Sequence, residues 1–169
     1  MDILPDLLTP DLKLVVCGTA AGRRSAELGA YYAGPGNRFW AMLHRTGATR
    51  SLLTPPEFRG LLAHCIGLTD IAKKAFGADR ELAASDFDRA GLRRRMLEYR
   101  PAVLAFNGKR AAREYFARDI DYGYQQGDDI GATRIYVGPS TSGAARGFWN
   151  EEIWRQIVSA AGLSGLSTE

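Results

Sequence analysis

PAVLAFNGKRAAREYFAR, residues 101–118, decides the fold. Its first half is a short, unbroken apolar run, the pattern of a strand buried on both faces, and such strands belong to parallel sheets. Asn107 and Gly108 interrupt the run. KRAAREYFAR then continues directly as a helix, so strand and helix alternate without a long connection.

The same order recurs on both sides. LKLVVCG (12–18) reads as the first buried strand, and RIYVGPS (134–140) as another. The latter leads into NEEIWRQIVSAAG, where Ile153, Trp154, Ile157, Val158 and Ala161 follow helical spacing and Gly162 ends the helix. From Asn37, NRFWAMLHRTG places Phe39, Trp40 and Leu43 on one helical face and stops at Gly47. A further helix is expected after Pro56, with Phe58, Leu61 and Leu62 inward, leading to a short strand near residues 64–68. Residues 18–36 contain five glycines and predict an extended loop, and GADRELAASDFD (77–88) predicts another. Between them and Pro101, a helix should turn Phe87, Leu92, Met96 and Tyr99 to the core and Arg93, Arg94 and Arg95 mostly to water. Residues 122–136, rich in glycine and aspartate, read as a hairpin or irregular approach to the last strand. The expected architecture is a three-layer α/β/α sandwich with a mainly parallel central sheet and right-handed crossovers. One domain should span residues 1–169, without repeat or linker.

Composition excludes several classes. The chain is 46% hydrophobic, enough for one core, yet no apolar run approaches the ~18 residues of a membrane span. MDILPDLLTPD has neither the basic start nor the apolar block of a signal peptide, so a cytoplasmic protein is expected. Cys17 and Cys65 are too few for a disulfide framework, and both lie in apolar segments. His44 and His64 have no partners at ligand spacing, so no metal is expected. The net charge of +3 favours a polyanionic partner only weakly.

In parallel sheets of this kind ligands bind beyond the carboxyl ends of the strands. Those ends carry GTAAG (18–22), GLTD (67–70), NGK (107–109) and GPSTSGAAR (138–146). GTAAGRRS lacks both the dinucleotide GxGxxG and the phosphate-loop GK[ST], which argues against a nucleotide phosphate site.

From Gly18 to Trp40 the chain resembles, without a gap, the first motif of the mismatch-specific uracil and thymine DNA glycosylases. In that family a Gly-Ile-Asn-Pro-Gly loop precedes a Pro-x-Asn-Arg-Phe-Trp helix start, and GPGNRFW (34–40) is the sharpest match. The resemblance continues through GLTDIAKKAFGADREL, PAVLAFNGKRAAREYF and GPSTSGAAR, in family order. It departs at the family's water-positioning asparagine, which aligns with Ala20. GTAAG and YYAGPGN together look more like the hypoxanthine-DNA glycosylase branch, which implies catalysis by the asparagine matching Asn37.

The resemblance implies a DNA glycosylase of the uracil-DNA glycosylase superfamily acting on damaged or mismatched DNA, monomeric and without cofactors. Uracil is the first expected base, and hypoxanthine or xanthine the next. The alternative is a protein that binds lesions or abasic sites without excision. Tyr32 aligns with the stacking aromatic, the other reading being a plug on the core. Backbone amides around Gly18, Thr19 and Ala20, together with Ser140, would form the base pocket. Asn37 is either the catalytic amide, a helix N-cap, or both. Asp70 either orients water or contacts the base, or serves a turn. Ser25, Lys109, Thr141, Ser142, Gly143 and Arg146 are the expected DNA contacts, with Arg146 on the loop that fills the vacated stack. Arg23 and Arg24 add phosphate contacts or are simply solvated. No lysine occupies a Schiff-base position, so direct hydrolysis without strand cleavage is expected.

Overall fold

The computed structural model describes residues 1–143 and 147–163. Four strands form its parallel sheet: β1 (Leu14–Gly18), β2 (Ile66–Asp70), β3 (Val103–Asn107) and β5 (Arg134–Gly138). The short β4 (Gly123–Tyr124) pairs antiparallel on the outer edge of β5, so the approach expected as a hairpin or irregular segment is a hairpin whose first strand has only two residues. The strand order is β2-β1-β3-β5-β4, so the mainly parallel sheet expected from the sequence is present.

Successive strand residues feed opposite faces, because a pleated strand alternates its side chains. Leu14, Val16, Val103 and Ala105 enter one core, with Tyr31, Phe39, Phe58 and Trp154. Val15, Cys17, Leu104 and Phe106 enter the other, with Leu92, Met96, Ala111 and Ala112. Helices α2 (Phe39–Arg45) and α5 (Glu151–Ala160) therefore cover the first face. Helices α3 (Arg89–Tyr99) and α4 (Lys109–Phe116) cover the second. This is the three-layer sandwich.

Several local expectations change. Residues 18–36 are not all loop: α1 (Arg23–Leu28) lies between Gly22 and Gly29. Gly29 adopts the left-handed conformation (φ 65°) and its N–H bonds the Ser25 carbonyl, so these glycines bracket a short helix instead of preventing one. Residues Pro55–His64 form a 3-10 helix, not an α-helix, with Phe58 and Leu61 buried and Leu62 only partly so. Thr54 and Glu57 form the capping box at its start. GADRELAASDFD contains two 3-10 turns, Asp79–Glu81 and Ala84–Asp86. In α3, Leu92 and Met96 are buried as expected, but Arg95 turns inward. Its guanidinium reaches Asp6 and the Asp70 carbonyl, satisfying charge and backbone at the end of β2.

Candidate active site

Three strands end at one cleft of about 580 Å3, a size suited to a small organic ligand. Gly18 ends β1, Asp70 ends β2 and Asn107 ends β3. Ser140, Thr141 and Ser142, just beyond β5, complete that side, and Thr19, Ala20, Tyr32 and Asn37 also line the space. The opposite wall is the 77–81 segment, whose Gly77 N–H bonds the Ala21 carbonyl.

Gly18 and Asp70 are register partners across the β1–β2 pair. A Cβ on residue 18 would lie 2.7 Å from Asp70 Oδ1, so only glycine lets the carboxylate occupy this floor. Asp70 is 4% exposed, and its carboxyl is pushed up to about 6. Burial is the chief cause; Lys73 and Arg95 oppose it, Asp6 reinforces it, and the Gly18 backbone lowers it. Asp6 comes from the N-terminal segment, which pairs with β2 through Leu7 and Leu68. Its carboxylate gathers Lys73 Nζ at 2.8 Å, the Thr69 hydroxyl at 2.7 Å and Arg95 Nε at 3.3 Å. Two carboxylates and two cations thus balance beneath the cleft.

Tyr31 and Tyr32 divide their work. Tyr31 is buried, donates its hydroxyl to the Pro5 carbonyl at 2.9 Å and packs edge-on against Phe58. It is core. Tyr32 lines the cleft in the left-handed conformation (φ 53°), an uncommon backbone for a bulky side chain. Its ring rests on Phe39, with centroids 4.1 Å apart. Among the described residues its buried hydroxyl completes no hydrogen bond of good geometry, and burial followed by the nearby Asp70 charge, against the opposing Asn107 side chain, drives its acidity far below normal.

Asn37 lies at the start of α2. Its Oδ1 accepts the Phe39 N–H at 3.0 Å, an orientation the donor enforces because a backbone N–H can only donate. The side-chain NH2 is left without a partner among the described residues, and the residue lines the cleft. Asn37 thus supports the helix start from one residue ahead of the N-cap, and among the described residues its amide donor stays free. On the neighbouring loop the Gly18 and Thr19 carbonyls accept the Ile71 and Ala72 N–H groups. Among the described residues, the Thr19 and Ala20 amides make no backbone bond. The Thr19 hydroxyl donates to Asp79 at 2.8 Å. Ala20 presents only a methyl group.

A family profile described as the uracil DNA glycosylase superfamily matches residues 5–158. The chain belongs to the uracil DNA glycosylase superfamily. Its fold is also similar to a solution NMR structure from Methanosarcina acetivorans, a protein provisionally assigned as a uracil DNA glycosylase. The TM-score is 0.64 at 22% identity, over 95% of this chain and 96% of that one.

The superfamily motifs meet through contacts the sequence reading did not anticipate. Asn107 and Thr141 exchange two hydrogen bonds, Nδ2 to the hydroxyl and the Thr141 N–H to Oδ1, each 2.9 Å. The Arg38 N–H then bonds the Thr141 carbonyl at 2.8 Å. Gly143 lies on Pro35 and Gly36 so closely that a Cβ would strike the Pro35 carbonyl. GPGN and GPSTSG are thereby locked together. Asn107 is a polar residue ending a buried strand, on the carboxyl side of the sheet where such folds bind ligands, but no motif pairs it with Thr141.

Other site residues fall elsewhere. Ser25 is buried, and its hydroxyl accepts the Ala33 N–H at 3.0 Å, so it braces the Tyr32 loop although it also borders the cleft. Lys109 is outside the cleft lining, with Nζ 4.5 Å from the Tyr122 ring centroid. Arg23 and Arg24 are exposed and paired with Glu81 and Glu27, each at 3.2 Å. Arg146 lies outside the described residues. No cluster of His, Cys, Asp or Glu suited to a metal occurs among those described, and none of their helices is long and apolar enough to cross a membrane.

Proposed function

We propose that the protein is a monofunctional DNA glycosylase that flips a deaminated base into this cleft and hydrolyses its N-glycosidic bond. Uracil is the first substrate, followed by hypoxanthine and xanthine. The observation that carries this reading is the convergence of the Tyr32 ring, the Asp70 carboxyl and the Asn37 NH2 on one space.

Extrusion costs a few kcal/mol, least at mismatched or unpaired nucleotides. Stacking on Tyr32 offsets part of it, at about 1–3 kcal/mol per base. Bond cleavage then leaves a sugar of oxocarbenium character and an anionic base. The Thr19 and Ala20 amides and the Asn37 NH2 are donors for that developing negative charge, fixed before the reaction starts. Ala20 cannot hold water. Asn37 Oδ1 is occupied by the helix-start bond, so the proton acceptor for the attacking water is Asp70, ionised above pH about 6. The Asn107–Thr141 lock holds Ser140 and Ser142 at the cleft edge, where backbone and hydroxyl groups grip the flanking phosphates.

The test is excision by the purified protein from oligonucleotides carrying uracil, hypoxanthine or xanthine, single-stranded and opposite guanine, followed by alkaline cleavage of abasic sites. Product from at least one substrate is expected. Tight lesion binding without product favours the binding protein that the Ala20 methyl makes physically reasonable.

A further inference from the structure

Beyond the cleft rim, the Phe148–Trp149 segment gathers aromatic rings and cations that the excision chemistry does not use. Phe148 is 53% exposed, and its ring stacks on Tyr122 at 5.2 Å between centroids with planes 26° apart. Lys109 Nζ lies 4.5 Å from the Tyr122 ring. On the adjacent residue, the Arg38 guanidinium lies 5.1 Å from the Trp149 ring. An exposed phenylalanine held flat by a second ring retains a face for a further planar group, and every nucleobase supplies one.

Three chain segments connect the patch to residues that line the cleft. Arg38 follows Asn37, Lys109 stands two residues after Asn107, and Phe148 follows the segment that contains Ser142. Positive charge beside stacked rings is the combination that holds single-stranded nucleic acid, the cations tracking phosphates while the rings take bases. We infer that Phe148, on its Tyr122 support, is a stacking platform for an unpaired DNA base adjoining the extruded nucleotide, and that Lys109 and Arg38 contact its phosphates. This rests on the DNA glycosylase reading and adds to it a preference for unpaired DNA. Along a duplex the bases are stacked between their neighbours and offer no comparable face.

The experiment compares binding of a fluorescein-labelled, lesion-free 15-nucleotide single strand with that of the corresponding blunt duplex, by anisotropy at fixed low salt. The full-length protein and its Phe148→Ala, Tyr122→Ala and Phe148→Trp variants are used, each checked by thermal melting. The alanine variants should lose single-strand affinity by about tenfold more than duplex affinity, a factor within the range for one stacked base. Phe148→Trp should restore the ratio, because indole offers a larger face. An unchanged ratio in both alanine variants rejects the platform. So does an equal loss on both DNA forms, which would mark a phosphate contact only, and so does a tryptophan variant that behaves like alanine. If the unaltered protein binds neither DNA form, the glycosylase reading itself falls; if it binds normally and only the ratio fails to move, the platform alone falls.

Discussion

Asn107 and Thr141 hold each other by two reciprocal 2.9 Å hydrogen bonds, tying the end of β3 to the loop after β5. Both residues are buried, so neither group has water as an alternative partner. Asn107→Ala leaves the Thr141 N–H and hydroxyl unsatisfied and should cost about 2–3 kcal/mol of stability, measured by urea unfolding. Single-turnover excision should fall further than Thr141→Ser makes it fall, because serine keeps the hydroxyl and the exchange.

Asp70 should impose opposite pH trends on activity and stability. With the ionised carboxylate as proton acceptor, single-turnover excision rises between pH 5 and 7 with a midpoint of about 6. Asp70→Asn should remove that limb along with most of the rate.

Stability runs the other way. The folded carboxyl holds its proton up to about 6, against an ordinary value of 3.8. Below 3.8 the group is protonated whether folded or unfolded. As pH rises through that window the unfolded chain ionises first, and stability falls until a constant cost, on the order of 3 kcal/mol, is reached above 6. Asp70→Asn should therefore raise the melting temperature at pH 8 and lose this advantage at pH 4. An equal advantage at both pH values would contradict the buried-carboxyl assignment.

The helix-start bond of Asn37 and its proposed donor role are separable. Asn37→Asp preserves a capping oxygen for the Phe39 N–H and removes the NH2 donor, whereas Asn37→Ala removes both. The aspartate variant should melt within a few degrees of the parent yet lose about 100-fold or more in excision rate, the usual scale for one lost donor. The alanine variant should lose a comparable rate and, in addition, about 1 kcal/mol of stability. An active aspartate variant would reduce Asn37 to its helix-start bond.

Among the described residues the buried Tyr32 hydroxyl has no hydrogen-bond partner, and its ring is proposed to stack the base. Tyr32→Phe should be more stable by about 1 kcal/mol, since an unsatisfied buried group is removed without a cavity. Tyr32→Ala should weaken lesion binding by about 1–3 kcal/mol, measured with a non-cleavable substrate analogue.

The layers were legible because buried parallel strands announce themselves as apolar runs, and PAVLAF and LVVC lie where such runs should. Arg95 shows where that reading stops. Its turn toward Asp6 depends on a partner 89 positions away, which periodicity within α3 does not contain. The α1 helix was hidden for a different reason, since a glycine that caps a helix and one that breaks it look alike in sequence. Around the cleft, Asn37, Asp70 and Tyr32 stood out by motif, while Asn107 did not, because its role arises only when β3 and the loop after β5 are brought together.

Excision is the most direct test of the central claim. Single-turnover incubation with a uracil-containing oligonucleotide, single-stranded or opposite guanine, should give an alkali-labile abasic site and free uracil, with the rate collapsing in Asp70→Asn. Retained lesion binding with no base released from uracil, hypoxanthine or xanthine would contradict it.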